Sequence, residues 1–374
     1  MEEDLFNNIE VLTDRLNMIR LICMNETIAG SRQSYLLNII NQSEGLLREE
    51  IQEKVEKLYP ISKPTLIRDL NVLLNTGLIR TRGKAKATRY LPLSDNPLLR
   101  YFDLNQYFAV DPDKRANVKK NFDLSVFGHL HDLFLPNELE ELQRLSLNYE
   151  EQTGHLASDI LRRELERFII ELSWKSSKIE GNTYTLLETE SLIKEQRKAK
   201  GKTQDEALMI LNHKSAFETI LKNKDDFKII SITTINQLHN ILVRGLSIST
   251  GIRKQAVGIT GTLYRPPENE FQIKEAFEEI IKVVNKTVNP LEKALIAHFM
   301  VPYLQPYSDG NKRTGRILTN AILLAYDRYP ISYRSVDEEE FKKALILFYE
   351  QLSMVYIKKL FIEQIKFANE NYFK

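Results

Sequence analysis

The sequence predicts a mainly α-helical protein in two parts: a small helical module closed by a basic hairpin, and a larger helical part interrupted once. Three observations carry this. Apolar residues recur at helical spacing almost throughout. Two short strand-like runs flank a basic turn at Gly83. A Gly261-Thr262 turn between short apolar runs marks a second hairpin within 251–272.

The organisation expected is an N-terminal helical segment over 1–30, the module over 31–95, a connector over 96–135 and the large helical part over 136–374. Within the module, 32–42 and 47–58 read as helices and a third runs from about Pro64 to Asn75. Ser62 suits its N-cap and Pro64 its first turn, where a missing N–H costs little. Leu66, Leu70, Leu73 and Leu74 form one apolar stripe, and Gly77 stops the helix. Leu78–Arg82 and Thr88–Leu91 then read as strands around Gly83. Between Ser62 and Tyr90 stand seven basic residues and one acid, Asp69, so this segment is +6 and the rest of the chain −5. Three helices and a basic hairpin resemble a winged helix-turn-helix. That resemblance implies DNA binding, with the third helix in the major groove and the wing on phosphates. A protein–protein or dimerisation role stays open beside it. The connector carries Pro97, Pro112, Tyr101, Phe102, Tyr107 and Phe108 without clean periodicity.

Composition narrows the classes. At 43% hydrophobic and 28% charged residues the chain is ordinary for a globular protein, neither disordered nor fibrous. The single Cys23 excludes an intrachain disulfide framework and a cysteine-rich zinc site. The opening MEEDLFNNIEVLTD is acidic, without the basic-then-apolar order of a signal peptide. No run approaches the roughly 18 apolar residues of a membrane span. A cytoplasmic protein without membrane partners is expected.

The chemistry concentrates at 305–316, Gln-Pro-Tyr-Ser-Asp-Gly-Asn-Lys-Arg-Thr-Gly-Arg, between two apolar helical runs. Asp309-Gly310 is a turn signal, and glycine lets backbone N–H groups approach an anion. A helix starting there points its positive end at the same place. Asn311 adds an amide donor, and Lys312, Arg313 and Arg316 add cationic ones. Arg313 and Arg316 share a helical face, so both can reach one polyphosphate. Asp309 is the segment's only carboxylate, the type of ligand a phosphate-bridging Mg²⁺ needs. The loop reads as a nucleotide-phosphate site.

This segment resembles the Fic signature, His-x-Phe-x-Asp/Glu-Gly-Asn-Gly/Lys-Arg-x-x-Arg. The chain matches it at Asp309, Gly310, Asn311, Lys312, Arg313 and Arg316, with Tyr307 at the Phe position. The resemblance implies a mainly α fold that binds ATP. By that resemblance Asp309 would hold Mg²⁺, while Asn311, Arg313 and the loop amides, with Gly310 and Gly315 in the same stretch, would hold phosphates, and Arg316 would take the γ-phosphate. One departure stands out: Gln305 occupies the position of the histidine that takes a proton from the target hydroxyl. A glutamine amide accepts no proton near neutral pH, and losing a general base typically costs about 10²–10⁴-fold in rate. His298, roughly 10 Å upstream along a helix axis, reads as a packing residue, as do His213 and His239. Lys312 stands where many relatives have Gly. In the similar Doc branch a lysine accompanies reversed nucleotide orientation and phosphate transfer.

Two further elements resemble the family. Ser176 and Glu180-Gly181, ending a helix marked by Ile160, Leu161, Leu165, Phe168, Ile169 and Leu172, match the inhibitory Ser/Thr-x-x-x-Glu-Gly/Asn motif. The resemblance pairs Glu180 with Arg316, a carboxylate competing with a phosphate for one guanidinium. The hairpin within 251–272, with Ile259, Thr260, Gly261 and Thr262, resembles the flap on which an extended target segment adds as a strand. Three readings stay open: a restrained adenylyltransferase, a nucleotide-binding pseudoenzyme relaying occupancy to a partner, and a DNA-binding regulator using the domain as sensor. A homodimer is compatible with each and required by none.

Overall fold

The computed structural model describes residues 31–146 and 149–374; the helical segment expected over 1–30 lies outside them. The described chain divides into two compact units, one ending at Asp111 and one beginning at Pro112.

In the first unit, α1 (Ser31–Asn41), β1 (Leu46–Leu47), α2 (Arg48–Glu56) and α3 (Lys63–Asn75) precede β2 (Ile79–Arg82), β3 (Arg89–Pro92) and α4 (Leu104–Phe108). The Ser62 hydroxyl accepts from Thr65 N–H and caps α3, as its sequence predicts. Leu66, Leu70 and Leu73 turn inward onto Leu36, Leu37, Ile40, Ile51 and Val55. Gly77 ends α3 at φ +64°. The sheet is antiparallel in the order β1-β3-β2, with Thr81 opposite Tyr90. The two-residue β1 was not legible in the sequence. At the hairpin tip, Gly83 has φ +94° and an added Cβ would lie 2.4 Å from the Ala87 carbonyl oxygen, so only glycine fits. Asp69, the segment's lone acid, is buried and takes hydrogen bonds from Arg32 at 2.7 Å and Gln33 at 3.0 Å.

The second unit is helical: α5 (Pro136–Ser146), α6 (Tyr149–Gly154), α7 (Ser158–Ile179), α8 (Leu186–Glu195), α9 (Gln204–Lys222), α10 (Ile232–Leu242), α11 (Glu270–Lys286), α12 (Pro290–Leu304), α13 (Asn311–Ala325), α14 (Glu338–Gln351) and α15 (Val355–Asn371). Helices α12 and α13 pack together at its centre. α12 is apolar on every side, as a helix buried all round must be. Its first turn is capped by Asn289, which accepts from Leu291 and Glu292 N–H. Of α13, only Lys312 is not fully buried. Helix α7 exposes Ile160 and buries Phe168, Ile169 and Leu172, so only its second half seats in the core. Phe168 packs on Phe217 and Tyr372, and Arg334 pairs with Glu171 at 2.6 Å. These contacts seat the middle of α7, ahead of the end that carries Glu180.

The connector expected over 96–135 is shared between the two units. Residues up to Asp111 belong to the first unit, where Tyr101 C=O accepts from Asn41 and Asp103 from Ser34. From Pro112 onward it belongs to the second, where Arg115 pairs with Glu350 and Asp123 N–H reaches Tyr303. One expectation is corrected: 251–272 is not a hairpin, for it contains a turn at Thr260-Gly261 but no paired strands. Side chains take three of its carbonyls, those of Gln255, Gly261 and Pro267. The buried Arg253 guanidinium donates to the carbonyls of Gln305, Gln255 and Pro267. Arg115 donates to the Gly261 carbonyl at 3.0 Å, and Arg265 N–H reaches Lys120 C=O at 2.8 Å.

Candidate functional site

The loop between α12 and α13 forms the site. α12 ends at Gln305 in the left-handed region, φ +51°, its N–H closing on Val301 C=O. Gln305 Nε2 donates to Pro302 C=O at 2.8 Å, and its Oε1 accepts from Asn311 Nδ2 at 2.7 Å. Asn311 also donates to Tyr307 C=O and accepts from Tyr307 N–H, both at 2.9 Å. Tyr307 is buried, its ring stacked on His239 at 3.7 Å and its hydroxyl donating to Asn236 Oδ1 at 2.7 Å. The aromatic position of the motif is therefore the loop's anchor.

Gly310, φ +80°, starts α13 without a side-chain cap. An added Cβ there would crowd Val243 at 3.3 Å and the Arg313 guanidinium at 3.4 Å. Asp309 is 67% exposed; one oxygen accepts from Gly310 N–H and the other lies 3.5 Å from Arg313 Nη2. Arg313 is 2% exposed, and its Nη1 is buried with no hydrogen-bond partner among the described residues. Burial pushes its pKa down. Arg316 Nη1 is likewise buried and unpartnered. Leaving cationic donors buried and unpaired is costly unless an anion can claim them.

The rest of Arg316 is held. Its Nε donates to Ser176 Oγ at 2.8 Å and its Nη2 to Ser176 C=O and Glu180 Oε1, each at 2.9 Å. The second oxygen of Glu180 pairs with Lys312 Nζ at 2.8 Å. Burial raises the Glu180 carboxyl's pKa, but the charges and hydrogen bonds of Arg316 and Lys312 outweigh it and bring it down to about 2. Glu180 is thus a carboxylate clamped between two cations of α13.

Residues 229–323, which include this loop, match the Fic/DOC family. The protein adenylyltransferase Fic of Drosophila willistoni is 28% identical over 180 residues, 47% of this chain and 36% of that protein. The protein of the same name from Drosophila melanogaster is 29% identical over 183 residues. The matched region spans little more than a third of those relatives' length. Among solved structures, Fic-1 (residues 134–508) of C. elegans superposes with a TM-score of 0.54 at 22% identity, covering 63% of this chain and 71% of that one. A Fic domain containing signaling protein from Bacteroides thetaiotaomicron gives 0.51 at 19% identity, covering 62% and 96%. These structures share the fold.

The second unit brings Ser176, Glu180, Lys312 and Arg316 together, and Asp309, Gly310 and Arg313 beside them. Two residues stand apart from this cluster. Gly315 faces α12, where an added Cβ would meet His298 C=O at 2.9 Å and the Pro302 ring at 3.1 Å. It serves close helix packing. Gly181, φ +96°, closes α7 through its N–H to Lys178 C=O. In the loop over 251–272, Thr260 and Gly261 are exposed, Ile259 is half-buried, and Thr262 Oγ1 accepts from Tyr264 N–H. Arg253 links that loop to the phosphate-site candidate, its N–H reaching Pro306 C=O and its Nε the Gln305 C=O.

Three supporting residues were missed in the sequence. Arg253 is one. His239 Nε2 donates to Asp309 C=O at 3.0 Å, and burial lowers its pKa. His213 lies behind Ser176, 2.8 Å from its hydroxyl. A histidine on an apolar helix face gives no sign of which backbone it will brace. His298 is a packing residue as expected, stacked on Tyr333 and near Thr319.

Proposed function

We propose that this chain binds ATP with Mg²⁺ at the α12–α13 loop under restraint by Glu180, and that Gln305 leaves adenylyl transfer impaired. The observation that carries the reading is Arg316: a buried guanidinium with Nη1 unpartnered among the described residues and Nη2 claimed by Glu180. A γ-phosphate and the Glu180 carboxylate would compete for that cation. Arg313 Nη1 and the free N–H groups at the start of α13 suit the remaining phosphates. Asp309, the exposed carboxylate of the loop, suits Mg²⁺. When bound, Mg²⁺ supplies charge neutralisation for the phosphates.

Gln305 adds no base. Its amide oxygen already accepts from Asn311 and its amide nitrogen already donates to Pro302 C=O. The side chain holds the loop and leaves the proton of a target hydroxyl without an acceptor there. The exposed Thr260-Gly261 turn fits an extended protein segment as the partner.

The test is calorimetric titration with Mg²⁺ and ATP, paired with intact-mass spectrometry. Glu180→Gly should bind ATP more tightly than the parent and add no AMP to itself. Equal affinities would remove the restraint from the reading. An added AMP, lost in Asp309→Ala or Arg313→Ala, would overturn the impairment.

A second reading rests on the first unit. Its order of helix, short strand, two helices and hairpin supports a winged helix. Asp69 is turned inward, and Lys63, Arg68, Arg82, Lys84, Lys86 and Arg89 face solvent, Arg89 with Glu50 beside it at 3.8 Å. This favours a DNA-binding regulator with the Fic/DOC domain as sensor. Binding to duplex DNA that weakens steeply with salt and on Lys84→Glu/Lys86→Glu would support it; no binding at low salt would exclude it.

A further inference from the structure

We propose that His213 is a positioning residue that mounts Arg316, through Ser176, independently of Glu180. This rests on the nucleotide reading above and deepens it.

The hydrogen atoms can be assigned by elimination. His213 Nδ1 lies 2.8 Å from Met209 C=O, which only accepts, so Nδ1 carries the proton. The neutral ring then offers Nε2 as an acceptor, 2.8 Å from Ser176 Oγ. Arg316 Nε only donates, and it donates to the same Oγ at 2.8 Å. Ser176 therefore accepts from Arg316 and gives its single proton to His213. The direction runs one way, from guanidinium to hydroxyl to imidazole to the α9 backbone. Burial lowers the His213 pKa to about 3, with Arg313 and Arg316 adding to the effect, so the ring stays neutral and the direction holds.

His213 decides where the Ser176 hydroxyl points. A serine inside a helix otherwise turns its hydroxyl proton to a carbonyl one turn earlier. Ser176 lies on α7 and His213 on α9, and both are fully buried. With the imidazole drawing that proton, the lone pairs of Oγ face Arg316.

The mount and the clamp use different atoms. Ser176 Oγ holds Nε, whereas Glu180 holds Nη2 together with Ser176 C=O, and Nη1 has no partner among the described residues. Loss of Glu180 leaves the mount intact, with the outer guanidinium nitrogens aimed at whatever replaces the carboxylate. The mount therefore selects for a third phosphate: it fixes the one arginine assigned to it.

The experiment uses the full chain in the Glu180→Gly background, titrated with ATP and with ADP in Mg²⁺. His213→Leu and Ser176→Ala should each weaken ATP roughly tenfold while changing ADP less than about twofold, one lost charged hydrogen bond being of that size. His213→Gln, whose amide both accepts and donates, should restore ATP to within about threefold of the background. Ser176→Ala leaves the ring untouched and carries the test if His213→Leu does not fold. Equal losses for ATP and ADP, no loss in folded variants, or Gln no better than Leu would overturn the inference alone. Failure of Glu180→Gly to bind ATP would overturn the functional reading, and the inference with it.

Discussion

Asn311 donates to Gln305 Oε1 at 2.7 Å, so the residue at the expected base position is tied to the residue expected to touch phosphate. Both side chains are spent on the loop itself. Gln305→His, in the Glu180→Gly background, should raise adenylyl transfer by about 10²–10⁴-fold, the usual worth of a positioned general base. Self-modification followed by intact mass against time measures it. A double variant as silent as Glu180→Gly, yet binding ATP, would mean that the missing base is not the limiting defect.

Glu180→Gln keeps the shape of the clamp and removes its charge. Arg316 and Lys312 then face a neutral amide, and a buried cation loses its only carboxylate among the described contacts. Breaking one side of a buried ion pair costs about 3–5 kcal/mol. Here Ser176 retains two hydrogen bonds to Arg316, so a loss of about 2–3 kcal/mol is expected by urea denaturation. Saturating Mg²⁺–ATP should recover more stability in the variant than in the parent, because the phosphate replaces the missing anion.

The loop over 305–316 was legible because its chemistry is contiguous: turn, glycine, amide and cations follow one another in twelve residues. Contact between Glu180 and Arg316 spans 136 positions and was reached only through resemblance. The hairpin expectation failed because Gly261-Thr262 signals a turn and nothing more. Whether a ladder forms depends on competitors for the carbonyls, and Arg253 and Arg115 are remote in sequence or silent in pattern. The α3 cap succeeded because Ser62, Pro64 and Gly77 act locally. Gly315 was placed with the phosphate ligands because it sits among them in sequence, although its Cα faces the opposite helix.

Gly315→Ala tests that reassignment. The added methyl would meet His298 C=O at 2.9 Å and Pro302 at 3.1 Å, with no strained φ to complicate the effect. Forcing the α12–α13 crossing apart should cost about 1–3 kcal/mol, as overpacking of a close-packed interior does. Chemical denaturation measures the loss. ATP affinity in the folded variant should fall far less than in Arg313→Ala, which removes a charged donor.

Acid should destabilise the domain well before its carboxylates are fully protonated. His213 and His298 are buried neutral, each with its pKa lowered to about 3, burial being the largest cause. In the unfolded chain they titrate near 6.5. Between those limits the unfolded state binds more protons, so stability rises with pH and is lost as pH falls from about 6.5 toward 3. Each ring contributes a slope of at most about 1.4 kcal/mol per pH unit within that window. Glu180, lowered to about 2, adds in the same direction below about 4.5. Urea denaturation at a series of pH values reads the slope. His298→Gln should flatten it between about pH 6.5 and 4.5, where the carboxylate contributes little; an unchanged slope would mean that the ring charges without unfolding its surroundings.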